Sequence, residues 1–328
     1  MIKLRLLFTI FIGIISLNVL ATHNRAGEIT YRHIEGFTYE ITLITYTRGG
    51  EIDRVEANIR FGDGDAETVN RNSKTQIDPQ DDGIFKNVYI TRHTYSGSGT
   101  YNISYCDPNR IGGIENIPGS INIPFCVESI LEILPQAFGD NNSPVLLQPP
   151  IDFACLNRVY THNPAAYDVD GDSLVFSFTT PLRASNTPVD GFLPPENDPD
   201  WSFTINSQTG QVVWDVPTKE GIYNIAILIE EYRYGEKIGE VIRDMQIFVI
   251  GNCRNRPPQI VSVEDTCIEA GQWLNLQISA SDPDSDPIEF TATGGPFEVN
   301  NSPSKWLNTD GEPQSVLRGD SVIQAIFQ

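Results

Sequence analysis

From Gly27 onward, apolar and polar positions alternate in short runs with the period of a β-strand. Gly27-Glu28-Ile29-Thr30-Tyr31 and the run from Tyr39 to Tyr46 predict paired strands with Glu35-Gly36 in the turn between them. Further strands are predicted at Ile59 to Phe61, at Arg92-His93-Thr94-Tyr95 and at Gly99 to Ile103. Phe203 to Trp214 reads as a hairpin whose turn is bracketed by Asn206 and Gly210. A long strand opens at Glu220-Gly221-Ile222-Tyr223 and ends in Glu230-Glu231, and Ile242 to Ile250 reads as another strand. Tyr, Phe, Ile, Val and Thr dominate these runs, and Gly and Pro punctuate them. The pattern is that of an all-β chain of sandwich modules.

The first residues depart from that pattern. Lys3 and Arg5 precede an almost wholly apolar stretch from Leu6 to Leu20, with the small residues Val19 and Ala21 placed for cleavage. A signal peptide over residues 1–21 is expected, with Thr22 opening the mature chain, and no later run is long and apolar enough to span a membrane. The formal charge is −21, and loss of Lys3 and Arg5 takes it to −23. Such a chain is unsuited to nucleic acid, whose phosphates are met chiefly by Lys and Arg. It suits cations and a solvated extracellular surface. The remainder is long enough for two or three sandwich domains of about 100 residues each.

One motif occurs twice. Ala166-Tyr167-Asp168-Val169-Asp170-Gly171-Asp172 returns 114 residues later as Ala280-Ser281-Asp282-Pro283-Asp284-Ser285-Asp286. Three carboxylates at alternate positions repel one another unless solvent or a cation separates them, and Ca²⁺ takes about six to eight oxygen ligands. An Asp-rich surface turn is the plainer reading, since Asp hydrogen-bonds its own backbone in turns. An EF-hand is excluded by spacing. Its sixth and twelfth positions, Gly and Glu, are Ser173 and Thr179 in one copy and Pro287 and Thr293 in the other. The motif resembles the Asp-rich Ca²⁺ turns of cadherin-like β-sandwich modules. That resemblance implies Asp168, Asp170, Asp172, Asp282, Asp284 and Asp286 as Ca²⁺ ligands, with Glu231 and Asp244 as further oxygen donors.

The Phe61-Gly62-Asp63-Gly64 turn, the His93-Thr94-Tyr95 strand and the Gly99-Thr100-Tyr101 strand resemble the PKD domain, an immunoglobulin-like sandwich of exported proteins. The Asn70 to Gly83 insertion is longer than that family usually shows. The resemblance implies that His93 packs in a strand and is no metal ligand, although Asp63 and Asp65 lie near it in sequence. Across the mature chain, segments such as Asp107 to Ile114, Asn116 to Phe125, Leu147 to Asp152 and Arg243 to Gln246 resemble exported surface proteins of the Bacteroidetes. These carry a gliding-motility-associated C-terminal sorting domain and leave by type IX secretion. The expected organisation is a PKD-like sandwich over 22–138, a cadherin-like sandwich over 139–252, and over 253–328 the start of a second such module continuing beyond Gln328.

Five cysteines in an exported chain favour disulfides, and no Cys-x-x-Cys pair is present. The repeat suggests Cys253 with Cys267 and Cys106 with Cys126, leaving Cys155 over. With four histidines and no Gly-x-Ser-x-Gly, His-Glu-x-x-His or Walker-type loop, the common hydrolase and nucleotide chemistries lack their parts. The expectation is a non-catalytic secreted or cell-surface adhesion or spacer protein with calcium-stiffened modules and an extracellular protein or polysaccharide as partner. The alternative is a glycan-binding accessory region of a larger exported hydrolase, with Trp201, Trp214, Trp273 and Trp306 as stacking candidates.

Overall fold

The computed structural model describes residues 24–49, 53–78, 83–135, 138–195, 202–253 and 256–261, the stretches 274–286, 305–308 and 321–327, and positions 267, 269, 272 and 288. The expected signal peptide lies outside them. The fold is all-β, with no α-helix among the described residues. Seven strands come first: β1 (Asn24–Glu35), β2 (Thr38–Arg48), β3 (Glu56–Arg60), β4 (Ala66–Asp78), β5 (Ile84–Thr94), β6 (Gly99–Asp107) and β7 (Phe125–Ile133). Short strands follow: β8 (Val145–Leu146), β9 (Ile151–Cys155), β10 (Tyr160–His162), β11 (Ala166–Tyr167), β12 (Ser173–Thr179), β13 (Leu182–Ala184), β14 (Thr187–Pro188), β15 (Phe203–Ile205) and β16 (Val212–Trp214). The long hairpin β17 (Gly221–Arg233) and β18 (Glu236–Ile250) leads to β19 (Gln259–Val261), β20 (Leu274–Ser281), β21 (Lys305–Asn308) and β22 (Ser321–Phe327), which form a separate four-stranded sheet.

Alternation decides which faces are buried. On β2, Tyr39, Ile41 and Leu43 point inward at every second position and pack with Ile29, Ile59, Ile103, Phe125 and Leu131 in a first core. A second core gathers Phe176, Val212, Trp214, Ile225, Ile227, Ile229, Met245 and Ile247. The long insertion is an extension of the β4–β5 hairpin, paired from Arg71 to Asp78 with register shifts between Arg71 and Ser73 and between Gln76 and Asp78.

Strand β18 joins the two cores. It pairs with β17 from Gly221↔Val249 to Arg233↔Glu236, with β7 at Gly239↔Leu131 to Val241↔Ser129, with β1 at Gly27↔Asp244, and in parallel with β9 from Gln246↔Ile151 to Ile250↔Cys155. Burial on both faces explains why its sequence lacks clean alternation. One sheet therefore runs across the expected boundary at 138/139.

The seam between the cores holds two small apolar clusters, Ile111, Ile114, Ile117 and Val189 in one and Cys126, Leu182, Ala226 and Ile242 in the other, and between them buried charge. Arg110, wholly buried, places Nη1 3.1 Å and Nη2 2.8 Å from the two oxygens of Asp244. Its Nη1 also donates to Asn224 Oδ1 at 2.8 Å, and its guanidinium lies over the Phe125 ring. Asn116 closes this network, donating to the Asn224 carbonyl at 2.7 Å and accepting from the Asn224 amide at 2.8 Å. On the other face of β18, Arg243 forks onto Glu28, and it donates to the Gln148 carbonyl at 2.7 Å.

Two disulfides are present. Cys106–Cys126 links β6 to β7 at directly opposed positions, as expected. The second is Cys155–Cys253, and Cys267 is a free, exposed thiol, which corrects the Cys253–Cys267 pairing. The reason is the parallel β9–β18 pairing: it sets Cys155 opposite Ile250, three residues before Cys253.

Because Arg110 and Asp244 are buried together, removing one partner leaves an uncompensated charge. Arg110→Met is expected to destabilise the protein by about 3–5 kcal/mol in chemical denaturation, and adding Asp244→Leu should recover much of that loss. Additive losses in the double variant would contradict the pairing.

Candidate acidic site at the seam

The internal repeat holds at the level of hydrogen bonds. Asp168 Oδ1 accepts the amides of Asp170 and Asp172, both at 2.9 Å, and Asp282 Oδ1 accepts those of Asp284 and Asp286 at 2.8 and 3.1 Å. Asp170 Oδ2 accepts the Asn142 amide at 2.8 Å, and Asp284 Oδ2 accepts that of Arg256 at 2.6 Å, again 114 residues on. The flanking strands repeat too: Leu146 faces Ala166 in β8–β11, and Ile260 faces Ala280 in β19–β20. Each Asp turn is therefore held first by its own backbone and hooked to the chain entering the module.

In the first copy, carboxylate oxygens of Asp168, Asp170 and Asp172 lie within 4.8 Å of one another. Arg233, at the end of β17, forks onto Asp172 at 2.8 and 2.6 Å and lies 3.7 Å from Asp170. The same guanidinium donates to the carbonyls of Phe138 and Asp140 at 3.0 Å each and to Asn141 Oδ1 at 3.1 Å. In the second copy, the Arg256 guanidinium donates to Asp284 at 2.8 and 3.1 Å, in the place where the Asn142 side-chain amide meets Asp170 in the first.

Asp168 Oδ2 is buried away from every amide and hydroxyl, and the group Asp168 meets is the carboxyl of Glu231, with which it shares a hydrogen bond when Glu231 carries its proton. Glu231 is wholly buried, with the Tyr31 hydroxyl 3.2 Å and the Asn141 amide 3.4 Å away. Burial, reinforced by Asp168, pushes the Glu231 carboxyl from its ordinary 4.5 up to about 9. Burial raises Asp168 as well. Two carboxyl groups in contact are satisfied by a shared proton or by a cation. Glycine makes the approach possible, because a Cβ at Gly239 would collide with both Glu231 Oε2 and the Tyr31 hydroxyl.

The expected ligands thus divide. Asp168, Asp170, Asp172 and Glu231 come together at the seam. Asp244 does not join them: both its oxygens are committed to Arg110, with Asn224 on one of them, so its reading as a cation ligand is corrected. The sequence reading missed Arg233, whose signal was a basic residue two positions after the terminal acid of a long strand. His93 stacks on Phe61 with ring centroids 4.0 Å apart, and its Nε2 lies 2.6 Å from Asp63 Oδ2; Asp63, Asp65 and His93 bring ligand atoms within 4.8 Å of one another, a grouping the PKD resemblance had set aside. Trp214 is a core residue between Phe203 and Tyr223. Trp201 and Trp273 lie outside the described residues, and so does the side chain of Trp306.

The all-β fold and two disulfides define the class of protein, and no helix among the described residues is long and apolar enough to cross a membrane. No protein-family model and no curated protein matches the chain.

The raised Glu231 carboxyl makes a signed prediction. A group whose folded value exceeds its unfolded one stabilises fully below the unfolded value and loses that contribution as pH rises through the folded one. In chelator, the protein is expected to lose stability between about pH 5 and 9, and Glu231→Gln, a neutral isostere, should flatten that slope. An unchanged slope in the variant would contradict the assignment.

Proposed function

We propose that this chain is a non-catalytic exported protein, secreted or held at the outer cell surface, in which calcium stiffens the junction between β-sandwich modules for adhesion or as a spacer. The observation that carries this reading is the Asp168–Glu231 contact: two buried carboxyl groups held against each other, beside Asp170 and Asp172. Hard carboxylate oxygens suit Ca²⁺, and bound calcium would supply the positive charge that the Asp168–Glu231 pair lacks. Asp282, Asp284 and Asp286 would form the corresponding turn of the next module. Acidic composition and two disulfides support an oxidising, extracellular setting. The partner would be an extracellular protein or polysaccharide, and the resemblance to gliding-motility-associated surface proteins supports a role in motility or adhesion.

A second reading is favoured by Arg233. The turn then acts as an arginine-clasped joint, with Asp172 and Asp170 neutralised by the guanidinium and the Asp168–Glu231 pair by a proton.

One experiment separates the two. Under the calcium reading, titration calorimetry gives a heat with Ca²⁺, and excess Ca²⁺ at about 100 times Kd stabilises the fold by about 2.7 kcal/mol. Asp168→Asn should remove both effects. Under the arginine reading, neither heat nor a shift in Tm appears at millimolar Ca²⁺, and Arg233→Met destabilises regardless of chelator.

A further inference from the structure

The turn between β17 and β18 is Tyr234-Gly235, with φ of 54° and 87°. Two successive positive φ values fit a two-residue hairpin turn in which Asn-Gly is the usual choice. Tyr234 is 92% exposed, so its ring gains almost no packing in return for a left-handed backbone that costs about 1–2 kcal/mol in a residue bearing a Cβ. The fold gives no reason for an aromatic residue here, which directs attention to what the ring meets outside the chain.

Its surroundings point the same way. Phe138, 56% exposed, offers its carbonyl to the Arg233 guanidinium, and Val169, 43% exposed, sits in the Asp turn that grips the same guanidinium. Three segments carrying exposed apolar side chains thus converge on Arg233. The local cations are already engaged, Arg233 by Asp172 and Lys237 by Glu230 and Glu240. Asp140, whose side chain is 58% exposed with one oxygen 3.3 Å from His33 Nδ1, and Glu236, also exposed, place carboxylates at the rim.

We propose that this hairpin tip is a contact surface for a cationic polypeptide segment, whose Lys or Arg side chains lie on the Tyr234 ring and reach the rim carboxylates. A guanidinium or ammonium over a tyrosine face is attracted by the ring quadrupole. Ionised carboxylates accept hydrogen bonds but cannot donate them, so the rim suits a partner rich in charged donors better than a sugar, whose hydroxyls need both roles. A second copy of the chain is disfavoured by its charge of −21. The proposal goes beyond the calcium reading and does not depend on it.

The test uses the full chain in chelator, which keeps the result independent of any cation at Asp168, with a ten-residue peptide of alternating Arg and Gly as probe. Wild type should bind it in a salt-sensitive manner and should not bind the Glu–Gly counterpart. Tyr234→Asn should weaken binding about fivefold through loss of the cation–π contact. The same variant should melt no lower than wild type, since Asn tolerates the left-handed conformation. Phe138→Ser should also weaken binding. Equal binding by wild type and Tyr234→Asn, or no binding by wild type, would overturn the proposal. So would capture on a glycan array that Tyr234→Asn abolishes while peptide binding persists.

Discussion

The structure depends on ionic pairs buried where the two cores meet. Arg110 and Asp244 have no exposed surface, and Glu28 and Arg243 are buried almost as completely on the opposite face of the same strand. In each pair, one member belongs to the first core's strands and loops and the other to β18. Water cannot solvate either charge unless the halves separate, and separation strands both. The seam therefore resists partial opening far more than an apolar contact of similar size, because a half-opened state retains the desolvation cost without the attraction that offsets it. The Cys155–Cys253 bond adds to this by fixing β9 alongside the end of β18.

The seam also builds the acidic site. Tyr31 comes from β1, Asn141 from the connection after β7, Glu231 from β17, and Gly239 from β18. Only the shared sheet brings these four together. Once it does, Glu231 has no route to solvent, and its proton affinity rises as a direct result of burial. The Asp turn contributes the second carboxyl from outside, anchored by Arg233 and by the Asn142 amide. The chemistry of the site thus follows from packing between the cores rather than from the Asp-rich motif alone.

Much of the local structure was legible in the sequence, because a strand's face alternation and a turn's Gly or Asp are local properties. The β1–β2 hairpin, the Phe203 to Trp214 hairpin and the repeat itself could be read directly. Pairing between distant strands could not. Glu231 and Asp244 look alike in sequence, both acids in long β-strands, yet one meets a carboxyl and the other a guanidinium, and the difference lies in partners about 60 and 130 residues away. The same blindness affected the cysteines: local spacing favoured Cys253 with Cys267, while the parallel run of β9 beside β18 brought Cys155 to Cys253. Nor was β18's reach back to β1 and β7 readable from the residues on either side of 138/139.

The central claim is that two hydrophobic cores unfold as one unit because a shared strand, apolar clusters and buried charges join them. Native-state hydrogen exchange tests it most directly, by comparing amides of Ile41 and Leu43 in the first core with those of Ile227 and Ile229 in the second. The account predicts one common opening free energy for both sets, lowered equally in both by Asp244→Asn. Two separate opening energies, with Asp244→Asn affecting only the second core, would contradict it.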